Sequence, residues 1–232
     1  MSVADDIKKN AKDTFGSTWT VRNGTVVPSA ADLKLTNDAV RFETATVLYA
    51  DLDQSTALVE GHRWDFAGEV YKTFLYAASR LIRNRGGAIV SYDGDRVMGV
   101  FIGNAQRNSA VNCALEINYA VKNIIQPQLK TNWKTDYELG HIVGIDTSEI
   151  RAARTGVRGD NDLVWIGNAA NLAAKLTALD EGHPTWITKR VFDSLHDKQK
   201  LGPEGEGIWR QWSWTEHDGQ PIYSSTYWKE IS

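Results

Sequence analysis

The chain has 232 residues, with 26 basic and 29 acidic side chains, a formal charge of -3 and a single cysteine. That length is enough to bury a substantial core, and the near-balanced charge gives no net field to draw the protein to nucleic acid or to a membrane surface. The lone Cys113 excludes an internal disulfide. No apolar run approaches the roughly 18 residues of a membrane-spanning helix, and no amino-terminal run has signal-peptide character, so a soluble cytoplasmic protein is expected.

Residues 1–40 read as a polar amino-terminal extension to a domain covering 41–232. Ala4 to Phe15 forms a short helix, and Gly16, Gly24 and Pro28-Ser29 then punctuate a loop-like approach. Ala45-Thr46-Val47-Leu48-Tyr49-Ala50 is a buried, β-branched run that breaks into Asp51-Leu52-Asp53-Gln54-Ser55-Thr56, which places Asp51 at the carboxyl end of a strand. From Gly61 to Arg85, Phe66, Val70, Phe74, Ala77, Leu81 and Ile82 recur at helical spacing, and Gly86-Gly87 ends the amphipathic helix they define.

Ile89 to Phe101 reads as two strands joined through Tyr92-Asp93-Gly94-Asp95, since Asp-Gly is a strong hairpin signal. Ala110, Ala114, Ile117, Val121 and Ile124 predict a second long helix over 105–125, closed by Pro127. Cys113, among Val111, Ala114 and Leu115, reads as a small core residue. Tyr137 to Ile145 is a strand, Asn171 to Leu179 a short helix, and Thr185-Trp186-Ile187 another strand.

The order β-α-β-β-α-β predicts an α+β fold of ferredoxin-like type with an antiparallel sheet. Trp209, Trp212, Trp214 and Trp228 among short alternating runs predict a carboxyl-terminal hairpin packed on that core. A base-stacking surface for nucleic acid is the alternative, opposed by the scarcity of basic residues around the rings. If the first strand and the Asp-Gly hairpin are sheet neighbours, Asp51 and Asp95 converge, and two converging carboxylates share a proton or hold a divalent cation.

Tyr-Ala-Asp-Leu-Asp-Gln-Ser-Thr at 49–56 resembles the metal-binding strand of class III nucleotidyl cyclases, and the segment from Gly86 to Phe101 resembles their second-aspartate hairpin. Gly144-Ile145-Asp146-Thr147-Ser148-Glu149-Ile150, followed by Trp165 to Leu176, is similar to the strand, loop and helix carrying the family's transition-state asparagine. The three blocks cover residues 44–190 in family order.

The resemblance implies that Asp51 and Asp95 each bridge two divalent ions, Mn2+ or Mg2+, with Leu52 lending its backbone carbonyl. Gln54, Ser55 and Thr56 then open a turn whose N–H groups face the phosphates, with Ser and Thr as N-caps. Asn171 matches the asparagine that orients the ribose, and Lys175 stands where the family has an arginine on the α-phosphate, keeping the charge and losing the bidentate fork. In the family this pair comes from the opposite subunit of a head-to-tail homodimer. The family's arginine ahead of the Gly-Ile-Asp strand is absent here, and Arg151, Arg154 and Arg158 are the candidates to replace it.

The positions that read the purine base in adenylyl and guanylyl cyclases fall on Ser91 and Val164, which carry neither code. Tyr49 replaces a phenylalanine and narrows the base pocket. The chain is therefore similar to the pyrimidine cyclases of anti-phage systems, whose cyclic UMP or cyclic CMP opens a nucleotide-gated effector. UTP is the expected substrate, CTP the next and ATP after that. A degenerate cyclase that only binds nucleotide and a diguanylate-type palm enzyme remain as the other classes.

Overall fold

In the computed structural model, which describes residues 2–179 and 182–232, one nine-stranded sheet runs in the order β3-β4-β2-β5-β7-β9-β8. Its centre is β2 (Asp38–Leu52), antiparallel to β4 (Arg96–Phe101) on one side and to β5 (His141–Val157) on the other. β3 (Ala88–Asp93) pairs with β4 at the edge. Taken with the helix α3 (Trp64–Asn84) and the helix α4 (Gln106–Tyr119), these strands make the predicted βαββαβ unit.

Side chains alternate across β2, so Leu48, Ala50 and Leu52 face one way and Val47, Tyr49 and Asp51 the other. The first set joins Phe66, Val70, Phe74, Leu81 and Ile82 of α3 and Ala110, Ala114, Leu115 and Ile117 of α4 in the main core. Val47 and Tyr49 instead meet Ala169, Ala170 and Ala173 of a helix on the opposite face, α6 (Asn168–Leu176). The small alanines let α6 lie close to the sheet. A Cβ on Gly144 of β5 would come 2.2 Å from the Ala173 carbonyl oxygen, so a glycine is needed for the helix to seat.

The carboxyl half continues the sheet. β7 (Thr185–Thr188) runs parallel to β5, and β9 (Gln220–Ser225) pairs with β7 and with β8 (Arg210–Trp214) as the predicted hairpin. Trp186, Trp212 and Trp214 pack into the carboxyl-terminal cluster, and the Trp209 indole donates to the Gln199 carbonyl at 2.7 Å. Trp186 and Trp214 are buried, Trp209 and Trp212 are half-buried against the core, and Trp228, expected to pack there too, is exposed beside Tyr119. The last residues are strapped across α4, with Asn118 Nδ2 donating to the carbonyls of Thr226 and Tyr227 at 3.0 and 2.9 Å.

Several expectations need correction. Pro127 does not close the second helix: α4 widens into a π-helical turn over Ala120–Ile125, Gln126 N–H bonds the carbonyl of Val121, and α5 (Gln126–Trp133) carries on with proline in its first turn. Pro127 cannot donate to a carbonyl one turn back, and the widened turn ahead of it makes room for its ring. The strand expected from Tyr137 begins at His141, and it runs on into a hairpin with β6 (Asp160–Ile166) that the sequence reading left out. Nor are residues 1–40 loop throughout: the helix α1 (Val3–Gly16) forms as expected, and β1 (Thr20–Asn23) pairs in parallel with the start of β2. Cys113 is buried in the main core.

Candidate active site

Asp51 stands one residue from the end of β2, on the face shared with Tyr49, opposite Ile142 of β5. The β2–β4 register runs as far as Ala50 against Val97, so the chain beyond that pair brings Asp51 toward the β3–β4 turn. Gly94 takes a left-handed φ of 62° in that turn, which lets the strands reverse and delivers Asp95 beside Asp51. Burial first, and the neighbouring Asp95 carboxylate second, push Asp51 up to about 6. The Thr177 hydroxyl, just past α6, lies 3.3 Å from Asp51 Oδ2 and works in the opposite direction.

This pair is a fair match to a hard divalent cation. Two half-buried carboxylates whose charges oppose each other are relieved by a positive ion, and oxygen donors suit Mg2+ or Mn2+. Among the described residues no group of three or more His, Cys, Asp or Glu side chains gathers anywhere. The remaining ligands would therefore be a backbone carbonyl such as that of Leu52, substrate oxygens and water.

Directly after Leu52 the chain turns into the helix α2 (Ser55–Gly61). Its cap is Gln54, in a left-handed conformation (φ 54°) and with no side-chain cap hydrogen bond. Ser55 and Thr56 are thus inside the first turn, not N-caps as expected. Tyr49 is half-buried, and the guanidinium of Arg96 lies 5.7 Å from its ring centroid. Ser91 faces Met98 across the β3–β4 pair, and Val164 lies exposed on β6.

Asn171 and Lys175 are elsewhere. They sit on the outer side of α6, away from the alanines that meet the sheet, and line a pocket of about 600 Å³ with Asn168, Thr188, Arg190 and His217. Lys175 Nζ is 3.3 Å from His217 Nε2. Neither Asp51 nor Asp95 lines this pocket. Within one chain the predicted set is therefore split: the carboxylates gather at the tip of β2, and the amide and ammonium face another opening.

Arg151, Arg154 and Arg158, the sequence candidates for a phosphate contact, are not in the pocket. Arg151 pairs with Glu149 at 2.7 Å. Arg154 is bound to Asn161 and to the carbonyl of Leu33, and Arg158 lies in the exposed β5–β6 turn. The arginine that does line it, Arg190 in the helix α7 (Lys189–Asp193), was missed. A signal existed, because Lys189-Arg190 follow directly on the carboxyl end of β7, where open sheets present binding groups.

No protein-family model matches the chain. Curated relatives do. A uridylate cyclase of Burkholderia cepacia is 53% identical over 228 residues, covering 98% of each chain. A uridylate cyclase of Xanthomonas perforans is 41% identical over 229 residues, again 98% of each. Among solved structures, the adenylyl cyclase CyaB of P. aeruginosa superposes with a TM-score of 0.65 at 21% identity, over 81% of this chain and 95% of that one. The guanylyl cyclase Cya2 does so with a TM-score of 0.67 at 20% identity, over 82% and 94%. The structural likeness shows the fold, the full-length identity shows the family, and the chain belongs to the uridylate cyclases.

Proposed function

We propose that the protein converts UTP to 3′,5′-cyclic UMP and pyrophosphate. The observation that carries this reading is the convergence of Asp51 and Asp95 at the tip of β2 in a chain of this family. In the reaction the ribose 3′-hydroxyl loses its proton and its oxygen bonds the α-phosphorus, while the bond from that phosphorus to the leaving pyrophosphate breaks. Nucleophile and electrophile belong to one molecule, so the protein needs no covalent intermediate; it must orient the ribose and neutralise charge.

Asp51, Asp95 and the Leu52 carbonyl would hold two ions, Mg2+ or Mn2+, which neutralise the triphosphate and make the 3′-hydroxyl more acidic. Gln54, Ser55 and Thr56, entering α2 without a side-chain cap, leave backbone N–H groups free for phosphate oxygens. Asn171 orients the ribose and Lys175 meets the α-phosphate. Because those two residues line an opening that Asp51 and Asp95 do not, a complete site takes its carboxylates from one copy and its amide and ammonium from a second, head to tail.

Tyr49 supports a pyrimidine. It is a bulky, half-buried ring on the Asp51 face, steadied by Arg96, and it narrows the space for a base. The purine-reading positions Ser91 and Val164 offer no hydrogen-bonding pair to replace what a purine would need. By its family resemblance the product acts as a second messenger in anti-phage defence, opening a cyclic-nucleotide-gated effector, and the enzyme works in the cytoplasm. No helix among the described residues is long and apolar enough to cross a membrane.

The test is to supply UTP, CTP, ATP and GTP with Mn2+ and identify products by mass spectrometry. Cyclic UMP is expected to dominate. Dominant cyclic AMP would overturn the base assignment, and a cyclic dinucleotide would overturn the cyclase reading.

A further inference from the structure

Asp146, on β5, is fully buried, and it is not left bare. Arg190 donates to it twice, Nε to Oδ1 and Nη2 to Oδ2, both at 2.7 Å, and the Thr188 hydroxyl donates to Oδ1 at 2.5 Å. An ion pair with one partner this deeply buried is costly to build and adds little net stability, while a bidentate clamp fixes a guanidinium's plane and direction. Asp146 grips one edge of Arg190. The Nη1 side has no hydrogen-bond partner among the described residues, and the side chain, 41% exposed, turns into the pocket lined by Asn171 and Lys175.

The charges around that pocket leave an excess of cation. Lys175, Lys189 and Arg190 line it; Asp193 pairs with Lys189 at 2.5 Å and the buried Asp146 with Arg190, and among the described residues no carboxylate pairs with Lys175. A cationic concavity with one pre-oriented guanidinium is suited to phosphate oxygens, because the planar fork matches two of them. A neutral pyrimidine ring would leave this excess charge uncompensated.

We propose that Arg190 is a substrate contact whose free edge, with Lys189 beside it, binds the triphosphate tail of the nucleotide, and that Asp146 is the residue that positions it. The assignment rests on the cyclase reading for its substrate. It supplies the cation that Arg151, Arg154 and Arg158, none of which lines the pocket, do not bring there.

The experiment measures calorimetric binding of inorganic tripolyphosphate with Mg2+, a probe without base or ribose, to the full chain. The paired variant Asp146→Asn/Arg190→Met removes the guanidinium and its buried counter-charge together, so no unpaired charge is left inside. Arg190→Lys keeps the charge and loses the fork. The wild type is expected to bind tripolyphosphate, the paired variant about tenfold or more weakly at an unchanged melting temperature, and Arg190→Lys in between. With UTP, the paired variant raises KM by a similar factor, with a smaller effect on kcat.

Equal binding by wild type and paired variant, or no binding by the wild type, overturns the assignment and leaves uridylate cyclisation standing. If the contrast in binding holds while no cyclic nucleotide forms, the anion site stands and the cyclase reading falls.

Discussion

Thr177 Oγ1 lies 3.3 Å from Asp51 Oδ2, so the helix that presents Asn171 and Lys175 outward ends on the carboxylate that would hold metal. One helix thus reaches the carboxylate through its inner end and carries Asn171 and Lys175 on its outer face. This hydroxyl favours the ionised form of Asp51. Thr177→Val removes it and lets the pKa of Asp51 rise further, by less than an ordinary hydrogen bond would give, because the same hydroxyl also donates to the Ala174 carbonyl at 2.8 Å. The acid limb of the kcat/KM profile for UTP is expected to move to higher pH with it. An unmoved limb would mean that the contact does not reach the chemistry.

Asp51 itself should trade stability for function. Its folded-state pKa is raised to about 6, mainly by burial. The protonated form is therefore the one favoured on folding, and the stability it contributes is fully present below the ordinary carboxylate value and lost as pH rises through 6. Without metal at pH 8, Asp51→Asn is expected to melt at a higher temperature than wild type, with the difference vanishing near pH 4. Added Mn2+ should raise the wild-type melting temperature and not the variant's, and the variant should make no cyclic nucleotide.

The seating of α6 depends on Gly144. An added methyl would come 2.2 Å from the Ala173 carbonyl oxygen and 2.9 Å from Leu176 Cβ, and backbone cannot yield as a side-chain tip can. Gly144→Ala should cost about 1–3 kcal/mol of stability, as overpacking does, and should lower cyclic UMP production beyond that loss by displacing Asn171 and Lys175. Denaturant unfolding and turnover on the same preparation check it. A variant with wild-type stability and turnover would show that the helix can shift freely.

His141 sets an acid limit. It is buried at the start of β5, beside the Phe74 ring, and its Nε2 has no hydrogen-bond partner. Burial, with Lys122 adding to it, holds the imidazole down to about 3. The unfolded chain takes up a proton near the ordinary histidine value and the folded chain does not, so stability falls as pH drops from about 6.5 toward 3. His141→Phe is expected to flatten the melting temperature over that range relative to wild type. Parallel profiles would place the acid sensitivity elsewhere.

What could be read from the sequence was what local patterns encode. The β-branched run that ends on Asp51, the Asp-Gly turn ahead of Asp95 and the three-four spacing of Phe66, Val70 and Phe74 all gave their elements. Pro127 misled because a widened turn over Ala120–Ile125, just ahead of it, had already changed the hydrogen-bonding frame. The contact between Asp146 and Arg190 was hidden for a different reason: the two lie on separate elements and meet only through the parallel β5–β7 pairing, which no local pattern announces. Gly144 was legible as part of a motif, but its task of admitting a helix became plain only with Ala173 lying over it.

If two copies complete one another's sites, heterodimers of two crippled chains recover activity that neither parent has. Asp51→Asn/Asp95→Asn lacks the carboxylates, and Asn171→Ala/Lys175→Ala lacks the facing pair, so each homodimer should be inactive. Co-expressed with different tags and purified through both, the mixed dimer rebuilds one intact site of two and should form cyclic UMP at about half the wild-type rate. A mixed dimer as inactive as its parents would contradict the account.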